Sequence, residues 1–292
     1  MTLMKLNCKM NDSYQFPLEP PSVSPHARFA GGRKDLLRFI DGRCRIYNRA
    51  LTALELLFER FLFGKKTVTI LTTSQSKYVS ACVTDAAKRH GKWSRIFEED
   101  TAAVVVIHEW GFAYPHMATL TKTCRARNIP LIEDCARAFG TYIDGGCGRH
   151  GDYVILSAHK FFGVKKGVMV ARNEFDFPDD KDSVRTKTLL APSPRLVISK
   201  RRRVFEWHRQ RWERQRLFWL PRKNETAEAF ILPCGTHGAF LRKHMRKRGV
   251  EGGCWFGNNQ LFLPCHHNLM QSDVNIIGDI VADGFATAQK RG

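Results

Sequence analysis

The chain has 292 residues, 43% of them hydrophobic, which is enough to bury the core of one large domain or two smaller ones. No apolar run approaches the roughly 20 residues that cross a bilayer, and Met1–Phe39 lacks the apolar centre of a signal peptide, so we expect a cytoplasmic protein. Nine scattered cysteines without a CxxC pair indicate reduced thiols. The formal charge of +19 favours anionic partners.

The N-terminal part predicts an arm followed by a first helix and strand. Residues 1–40 are rich in Pro, Ser and Asn near their start and show little periodicity, which is typical of an extended arm. Asn48 can cap a helix whose apolar residues share one face, and Gly64 supplies its end. Thr67–Leu71 then predicts a buried strand, the next five residues a turn, and Lys77–His90 a second helix.

The middle of the chain alternates between predicted strands and helices. The strands are Ala103–Ile107, Pro130–Glu133, Asp152–Leu156 and Gly167–Ala171, and Pro115–Asn128 is a helix between the first two. Repetition of this unit predicts an α/β fold with a mostly parallel sheet, right-handed crossovers and helices on both faces. Beyond these strands the pattern weakens.

An acid and a lysine follow two of the apolar runs. Asp134 comes directly after IPLIE, and Lys160 closes the run DYVILSAHK. In open α/β sheets the carboxyl ends of the strands form the ligand crevice, so we expect the two side chains to converge there. A lysine amine can form a Schiff base with an aldehyde cofactor, and a carboxylate can keep a pyridine nitrogen protonated. The pair therefore indicates pyridoxal phosphate chemistry.

Both residues also have ordinary structural interpretations. A lysine at this place can be a solvated strand end, and Lys165 and Lys166 compete for the cofactor role, although they lie further beyond the strand. Asp134 can cap a helix that begins at Ala136. The cap and the cofactor role can coexist in one carboxylate.

The amino-acid sequence around these residues resembles that of a known family. IEDCARAFG, at residues 132–140, and GRHGDYVILSAHKFFGVKKGVMVARN, at 148–173, are similar to the motifs of DegT/StrS-type sugar aminotransferases. A third run, RGVEGGCWFGNNQLFLPCHHNLMQSDVNII at 248–277, looks like the C-terminal signature of that family. The resemblance covers roughly 42–172 and 248 onward, while the shortened middle region matches poorly.

The resemblance implies a fold-type-I pyridoxal-phosphate transferase. It predicts a large cofactor-binding α/β domain at 41–195, then a basic segment and a small C-terminal α+β part at 196–292. It implies that an amino group passes from an amino acid, glutamate in the usual case, to a keto sugar carried on a nucleotide. It also implies a homodimer with sites at the interface.

The resemblance carries site residues over onto this chain. Lys160 would form the Schiff base and move the proton as general base and acid, and Asp134 would partner the ring nitrogen. Asn48 and Arg49 stand where the family opens its first helix onto the cofactor phosphate, and Ser157 would donate to the same phosphate, although its spacing to the lysine is shorter than usual. The remaining cofactor-binding candidates are Tyr78, Arg137 and His159.

Each of these three candidates would make a different contact with the cofactor. Tyr78 stands where the family stacks an aromatic ring on the pyridine, although its predicted helix gives it other uses in a core. Arg137 replaces the family's Gln or His and would place a cation near the phenolic oxygen or the phosphate. His159 abuts the lysine and could contact the ring. No metal site is predicted, because adjacent residues such as Cys265, His266 and His267 rarely bind one ion together.

The basic segment at Lys200–Arg216 leaves several interpretations open. In order of preference, the first interpretation is a solvated helix whose aromatic residues dock on the core. The second is steering of a nucleotide-diphosphate sugar, and the third is binding to nucleic acid or to an anionic membrane surface. A catalytically degenerate paralogue or regulator that keeps the cofactor is the alternative to an active enzyme.

Overall fold

The structure of the protein is a computed structural model, and it describes residues 15–22, 33–76, 78–172, 183–184, 188–255 and 259–290. The chain divides into two compact units. The sheet unit consists of Ser22–Ile198 and Pro221–Ala227, and the C-terminal unit consists of Met1–Pro21, Ser199–Leu220 and Glu228–Gly292. Within the described ranges, no helix combines the length and the apolar composition needed to cross a bilayer.

The sheet unit alternates strands and helices along most of its length. Its elements in chain order are β1 (Arg33–Asp35), β2 (Arg43–Tyr47), α1 (Ala50–Phe61), β3 (Thr67–Thr72), α2 (Ala81–His90), β4 (Lys92–Ser94), β5 (Thr101–Ile107), α3 (Met117–Ala126), β6 (Leu131–Cys135), α4 (Phe139–Ile143), β7 (Tyr153–Ser157), α5 (Ala158–Phe162), β8 (Gly167–Ala171), β9 (Ser183–Val184) and β10 (Leu190–Pro192). Short 3-10 helices occupy Leu36–Phe39 and Glu109–Gly111.

Eight of these strands form one sheet in the order β4-β3-β5-β6-β7-β8-β2-β9. The five strands from β4 to β7 run parallel, while β8 is antiparallel to both β7 and β2. The ends of β3, β5, β6, β7 and β2 and the start of β8 therefore lie along one edge, which we call the carboxyl edge. The mostly parallel sheet confirms the predicted fold class.

Both faces of the sheet are covered, as nearly continuous apolar strands require. On one face, α1 and α2 pack on alternate strand residues such as Ile70, Val105 and Ile132. On the other face, α3 packs on Val104 and Val106. The aromatic residues of α4 and α5 form a further cluster with β7 and β8, and its rings are Phe139, Phe161 and Phe162.

The C-terminal unit is built around a small antiparallel sheet. Its elements are most of α6 (Pro194–Arg211), β11 (Ala229–Pro233), α7 (Gly238–Arg246), β12 (Gly253–Trp255), β13 (Gln260–Pro264) and α8 (Gln271–Gln289), with a 3-10 helix at Gly235–His237. The strand order is β11-β13-β12. Phe16 forms a bridge to Val250, so part of the N-terminal segment belongs to this unit.

Three details of the predicted elements are wrong. The third strand ends at Ser157, and Lys160 lies in the one-turn helix α5 rather than at the strand end. The second helix begins at Ala81, so Tyr78 precedes it. Arg49, not Asn48, is the N-cap of α1. Residues 1–14 and 23–32 of the predicted arm lie outside the described residues, and the predicted domain boundaries stay a prediction.

Candidate functional site

The strand register brings the predicted site residues to the carboxyl edge. Asp134 of β6 is level with Ile107 of β5 and with Ile155 of β7. Two residues further along β7, Ser157 pairs with Gly167, the first residue of β8. The chain then enters α5, which carries Lys160. The acid and the lysine therefore follow adjacent parallel strands at the same edge, where ligands of open α/β sheets bind.

Asp134 is a buried acid held in place by the backbone. Its Oδ1 accepts the N–H of Ala136 at 2.9 Å, and its carbonyl oxygen accepts the N–H of His108 at 3.0 Å. The helix that follows is α4, whose N-cap is Ala138, so Asp134 does not cap it. Because side chains alternate along a strand, Asp134 shares the face of Ile132, on which α1 packs. Within the described chain, its Oδ2 has no hydrogen bond.

Lys160 is positioned by the packing of its neighbours in α5. Phe161 and Phe162 are buried in the core, while Lys160 is half-buried. Gly163 ends the helix in the left-handed conformation with φ +73°, which a glycine adopts without strain. Of the competing lysines, Lys165 is exposed.

Lys166 already has a partner, because its Nζ donates to Asn48 Oδ1 at 2.7 Å. This contact is one sign that the start of α1 lies against the start of β8. A Cβ at Gly167 would collide with the backbone N of Ala50, so only glycine permits this approach. Ser157, the register partner of Gly167, is therefore brought close to the N-terminus of α1.

The N-terminus of α1 has the properties of an anion site. Its N-cap, Arg49, makes no side-chain hydrogen bond to the first turn, which leaves the first N–H groups of the helix for another acceptor. No acidic residue occupies that first turn. The helix dipole and an exposed arginine both favour a phosphate there. The buried Ser157 adds a hydroxyl nearby.

Three other predicted site residues have contacts of their own. Tyr78 is half-exposed in the extended segment before α2. The guanidinium of Arg137 lies 4.3 Å from the centre of the Trp110 ring, a cation–π contact. His159 Nε2 is 3.5 Å from the hydroxyl of Ser22. Their roles toward a cofactor stay predictions.

A buried, hydrogen-bonded glutamate next to Asp134 was missed from the sequence. Glu133 is fully buried, and its Oε2 accepts from His108 Nε2 at 2.9 Å and from the Gly148 N–H at 2.7 Å. Its Oε1 accepts the N–H groups of His150 and Gly151 at 2.7 and 2.6 Å. Burial raises the pKa of Glu133, but these hydrogen bonds outweigh burial and lower it to about 2.

The glutamate thereby fastens three segments next to Asp134: the end of β5, the end of β6 and the loop that begins β7. The only signal in the sequence was the Glu before Asp134 and the glycine-rich loop GRHG. His108 and Glu133 are 25 positions apart in the sequence, so no local pattern predicts their contact. We call these two residues the Glu133–His108 clamp.

Beside the clamp lies a group with the composition of a metal site. His108, Cys135 and Cys147 are buried, with ligand atoms within 4.8 Å of one another, and the two Sγ atoms are 3.5 Å apart. Both nitrogens of His108 are in use, however, because Nδ1 accepts the N–H of Tyr114 at 3.0 Å and Nε2 donates to Glu133. We therefore assign no metal to this group.

The described residues fit pyridoxal phosphate. Asp134 offers a carboxylate oxygen that no described residue hydrogen-bonds, on the face of α1, and Lys160 lies in α5, directly after the adjacent strand. The uncapped start of α1 lies next to Ser157 through the close approach at Gly167. An acid, an amine and an anion site along one edge match the ring nitrogen, the aldehyde and the phosphate of that cofactor.

Comparison with known proteins agrees with this class of site. The chain matches the DegT/DnrJ/EryC1/StrS aminotransferase family over residues 91–174, which confirms the resemblance there. Those residues include Asp134, Ser157 and Lys160, but not Asn48, Arg49 or Tyr78. No curated protein is detected as a relative by sequence.

Solved structures share the fold at low sequence identity. TlmJ, an aminotransferase from Streptoalloteichus hindustanus, has a TM-score of 0.62 and 18% identity, covering 84% of this chain and 86% of that one. Helicobacter pylori PseC, an aminotransferase involved in the biosynthesis of pseudoaminic acid, has a TM-score of 0.66 and 13% identity over 93% and 99%. Spr1654 from Streptococcus pneumoniae in its PLP form has a TM-score of 0.65 and 12% identity over 94% and 99%.

The family match and the shared fold support an aminotransferase with pyridoxal phosphate as its cofactor.

Proposed function

We propose that the protein transfers an amino group from an amino acid, most simply glutamate, to a keto sugar carried on a nucleotide. The observation that carries the proposal is that Asp134 near the end of β6 and Lys160 in α5, directly after the adjacent strand β7, lie at one edge of the sheet. Both residues are within the segment that matches the aminotransferase family. The net charge of +19 suits an anionic sugar nucleotide.

When bound, pyridoxal phosphate supplies a ring that withdraws electrons from the carbon to be aminated or deaminated. Asp134 holds a proton at the ring nitrogen, and its backbone contacts to Ala136 and His108 keep the carboxylate fixed. A carboxylate that is already oriented costs little reorganisation when charge develops on its partner.

Lys160 has two roles in this proposal. Its amine would hold the cofactor through the aldehyde group. The same amine would act as the general base and acid that moves a proton to and from the substrate carbon. The short helix α5 and its buried phenylalanines limit the directions in which the lysine can extend.

The start of α1 holds the phosphate. Its first N–H groups and the exposed Arg49 supply positive potential, and Ser157 donates its hydroxyl. Asn48 acts indirectly, because its side chain is bound to Lys166 and so ties the helix start to the loop before β8. Tyr78, Arg137 and His159 remain candidates for contacts to the ring or substrate. We further propose a cytoplasmic homodimer, on the basis of the resemblance.

A protein that binds the cofactor without turnover is the second candidate, and one observation favours it. Arg137, which stands in place of the Gln or His of the family motif, stacks on Trp110. A fixed cation near the cofactor would change the charge balance of the ring. Binding of nucleic acid through the basic segment is not favoured, because Arg201, Phe205 and Trp212 of that segment are buried.

A half-reaction with glutamate separates the two candidates. The purified protein, loaded with pyridoxal phosphate, is mixed with glutamate in the absence of an acceptor, and the absorbance of the bound cofactor and the formation of 2-oxoglutarate are followed. An enzyme converts the cofactor stoichiometrically and releases an equal amount of 2-oxoglutarate. A cofactor-binding regulator keeps its starting spectrum. Alanine and aspartate serve as alternative donors in parallel reactions.

A further inference from the structure

Two cysteines of the C-terminal unit have their thiols in contact. Cys234 directly follows β11, Cys254 lies in β12, and the two thiols hydrogen-bond to each other. Gly238, the first residue of α7, packs against both sulfur atoms. A Cβ at Gly238 would collide with the Sγ of Cys254 and lie 3.1 Å from the Sγ of Cys234. The thiols therefore meet at the N-terminus of α7, and neither has a part in the proposed transamination.

The two thiols differ in exposure and in their roles within the hydrogen bond. Cys234 is buried, while Cys254 is partly exposed. The S–H of Cys234 donates to the sulfur of Cys254, which raises the pKa of the donor and lowers that of the acceptor. Cys254 is therefore the thiol that a solute can reach, and Cys234 stands beside it as a second thiol.

The charges around the pair favour Cys254 as the nucleophile. Burial raises the pKa of both thiols, that of Cys234 to about 12. For Cys254, the hydrogen bond from Cys234 and the positive charge of Arg242 oppose the effect of burial. Arg242 lies one turn along α7 from Gly238, and the start of the helix adds positive potential. Cations and helix N-termini both favour the thiolate, which is the reactive form of cysteine.

The other cysteines lack this combination of contact and exposure. Cys135 and Cys147 are 3.5 Å apart, but both are buried, so a solute reaches neither while the protein is folded. Cys82 is exposed, but its sulfur contacts the hydroxyl of Ser80 at 3.0 Å. Contact between two thiols and access from solvent coincide at Cys254.

We infer that Cys254 and Cys234 form a redox-active dithiol, which a low-molecular-weight disulfide such as glutathione disulfide oxidises to an intramolecular disulfide. The thiolate of Cys254 attacks one sulfur of the oxidant, forms a mixed disulfide and releases the first glutathione. The sulfur of Cys234 then attacks that of Cys254 and releases the second glutathione. The two protons of the protein thiols end on the two released glutathiones, and the oxidant gains the two electrons that the dithiol loses.

The new bond would join the two edge strands of the small sheet. Cys234 follows β11 and Cys254 lies in β12, on opposite sides of β13. The bond would also close a loop that contains α7, and such a closure restricts the unfolded chain. The oxidised C-terminal unit should therefore resist unfolding more than the reduced one. The inference does not depend on the proposed transamination, so a failed half-reaction with glutamate leaves it unchanged.

Peptide mapping after oxidation tests the inference. The purified, cofactor-loaded protein is incubated with an excess of glutathione disulfide in the absence of denaturant. Remaining thiols are blocked with N-ethylmaleimide, and the digest is analysed by mass spectrometry without reduction. We expect one internal disulfide that joins the peptides of Cys234 and Cys254. The melting temperature of the oxidised protein should lie about 5 °C or more above that of the reduced protein.

Matched variants test the order of the two steps. In Cys234→Ser, Cys254 should stop at the mixed disulfide with glutathione, whereas in Cys254→Ser the buried Cys234 should stay reduced. Cys82→Ser is the control and should form the same internal disulfide as the parent.

A second pair of variants tests the charge beside Cys254. Arg242→Gln should slow the reaction roughly threefold or more, and Lys243→Gln, which removes an exposed cation of the same helix, should change it little. Circular dichroism verifies the fold of each variant. If a cysteine variant does not fold, the peptide map of the parent and the Arg242 and Lys243 variants carry the test.

Three outcomes overturn the inference. In the first, Cys254 of the parent stops at the mixed disulfide, which shows an accessible cysteine without a reactive partner. In the second, the internal disulfide joins another pair, such as Cys135 and Cys147. In the third, the bond between Cys234 and Cys254 forms only when urea is added, which shows that the folded protein does not present the pair to an oxidant.

Discussion

At the scale of single residues, the Glu133–His108 clamp is a buried carboxylate next to the site whose hydrogen bonds lower its pKa to about 2. Four donors converge on one carboxylate, which leaves no oxygen lone pair to a solvent that cannot reach it. Removing the charge of such a group leaves buried N–H donors without an acceptor. Unsatisfied buried donors lower the free energy of unfolding more than the loss of an exposed hydrogen bond does.

We expect Glu133→Gln to lower the free energy of unfolding by about 2–4 kcal/mol, since the amide group faces backbone N–H donors that it cannot all accept. Urea unfolding measures the change, with the exposed Glu59→Gln as the control within about 0.5 kcal/mol. A loss as small as that of the control contradicts the role given to Glu133.

The lowered pKa of Glu133 predicts that the free energy of unfolding depends on pH. Its pKa in the folded protein is lowered from 4.5 to about 2, so its stabilisation is complete above 4.5 and is lost as the pH falls through that interval toward 2. The difference in unfolding free energy between the parent and Glu133→Gln should therefore shrink across this window. A difference that stays constant from pH 5 to pH 2.5 is the opposite result.

A substitution of Asp134 is expected to affect activity rather than stability. Asp134→Asn keeps its backbone contacts and should change the unfolding free energy little, yet lower the rate of the glutamate half-reaction by several orders of magnitude because the ring nitrogen loses its proton partner. Asp152→Asn is the matched control, since its carboxylate binds the Leu131 N–H and has no part in the chemistry. Normal turnover in Asp134→Asn would remove this acid from the mechanism.

At the scale of elements, the contact of α1 with β8 sets the phosphate site. Gly167→Ala places a methyl group against the backbone at Ala50, so the helix must shift, and we expect weaker binding of pyridoxal phosphate and a lower melting temperature. Gly145→Ala is the control, because its φ of +82° costs about 1 kcal/mol but its surroundings are open. Cofactor affinity, measured by fluorescence titration, should fall for Gly167→Ala only.

Helix α6 contains a buried charged residue with a structural role. Arg201 is fully buried, and its guanidinium donates to the carbonyl oxygens of Glu228 and Cys265 at 3.2 Å. Arg201→Gln should therefore destabilise the protein by about 2–4 kcal/mol in urea unfolding, while Arg202→Gln, exposed on the same helix, changes little. Equal effects of the two variants would show that Arg201 is not a structural arginine.

The elements also show what the sequence could and could not predict. The five strands that the sequence predicted are apolar runs, and they lie within about two residues of β3, β5, β6, β7 and β8. Strand β2 was not predicted, because its sequence RCRIY is not an apolar run. Helix α5 is too short to produce a helical period, so Lys160 looked like a strand end. Asn48 looked like a helix cap, but its side chain prefers Lys166, a contact across 118 residues that no local pattern contains.

At the scale of the whole molecule, the order of the strands in the sheet brings separate sequence motifs together at one site. Asp134 and Lys160 were recognisable as candidate catalytic residues from the sequence because each stands at the end of an apolar run. The clamp was not, because it depends on contacts between distant segments. The positive charge of the basic segment is unevenly distributed, since Arg201 is buried while Lys200 and Arg203 are exposed.

The covalent bond between Lys160 and the cofactor is the central claim. The protein loaded with pyridoxal phosphate is reduced with borohydride, digested, and analysed by mass spectrometry for the lysine that carries the cofactor, with Lys160→Ala and Lys165→Ala treated in the same way. We predict one modified peptide centred on Lys160, lost in Lys160→Ala and retained in Lys165→Ala. Modification of Lys165 or Lys166, or none above that of the unfolded protein, would contradict the account.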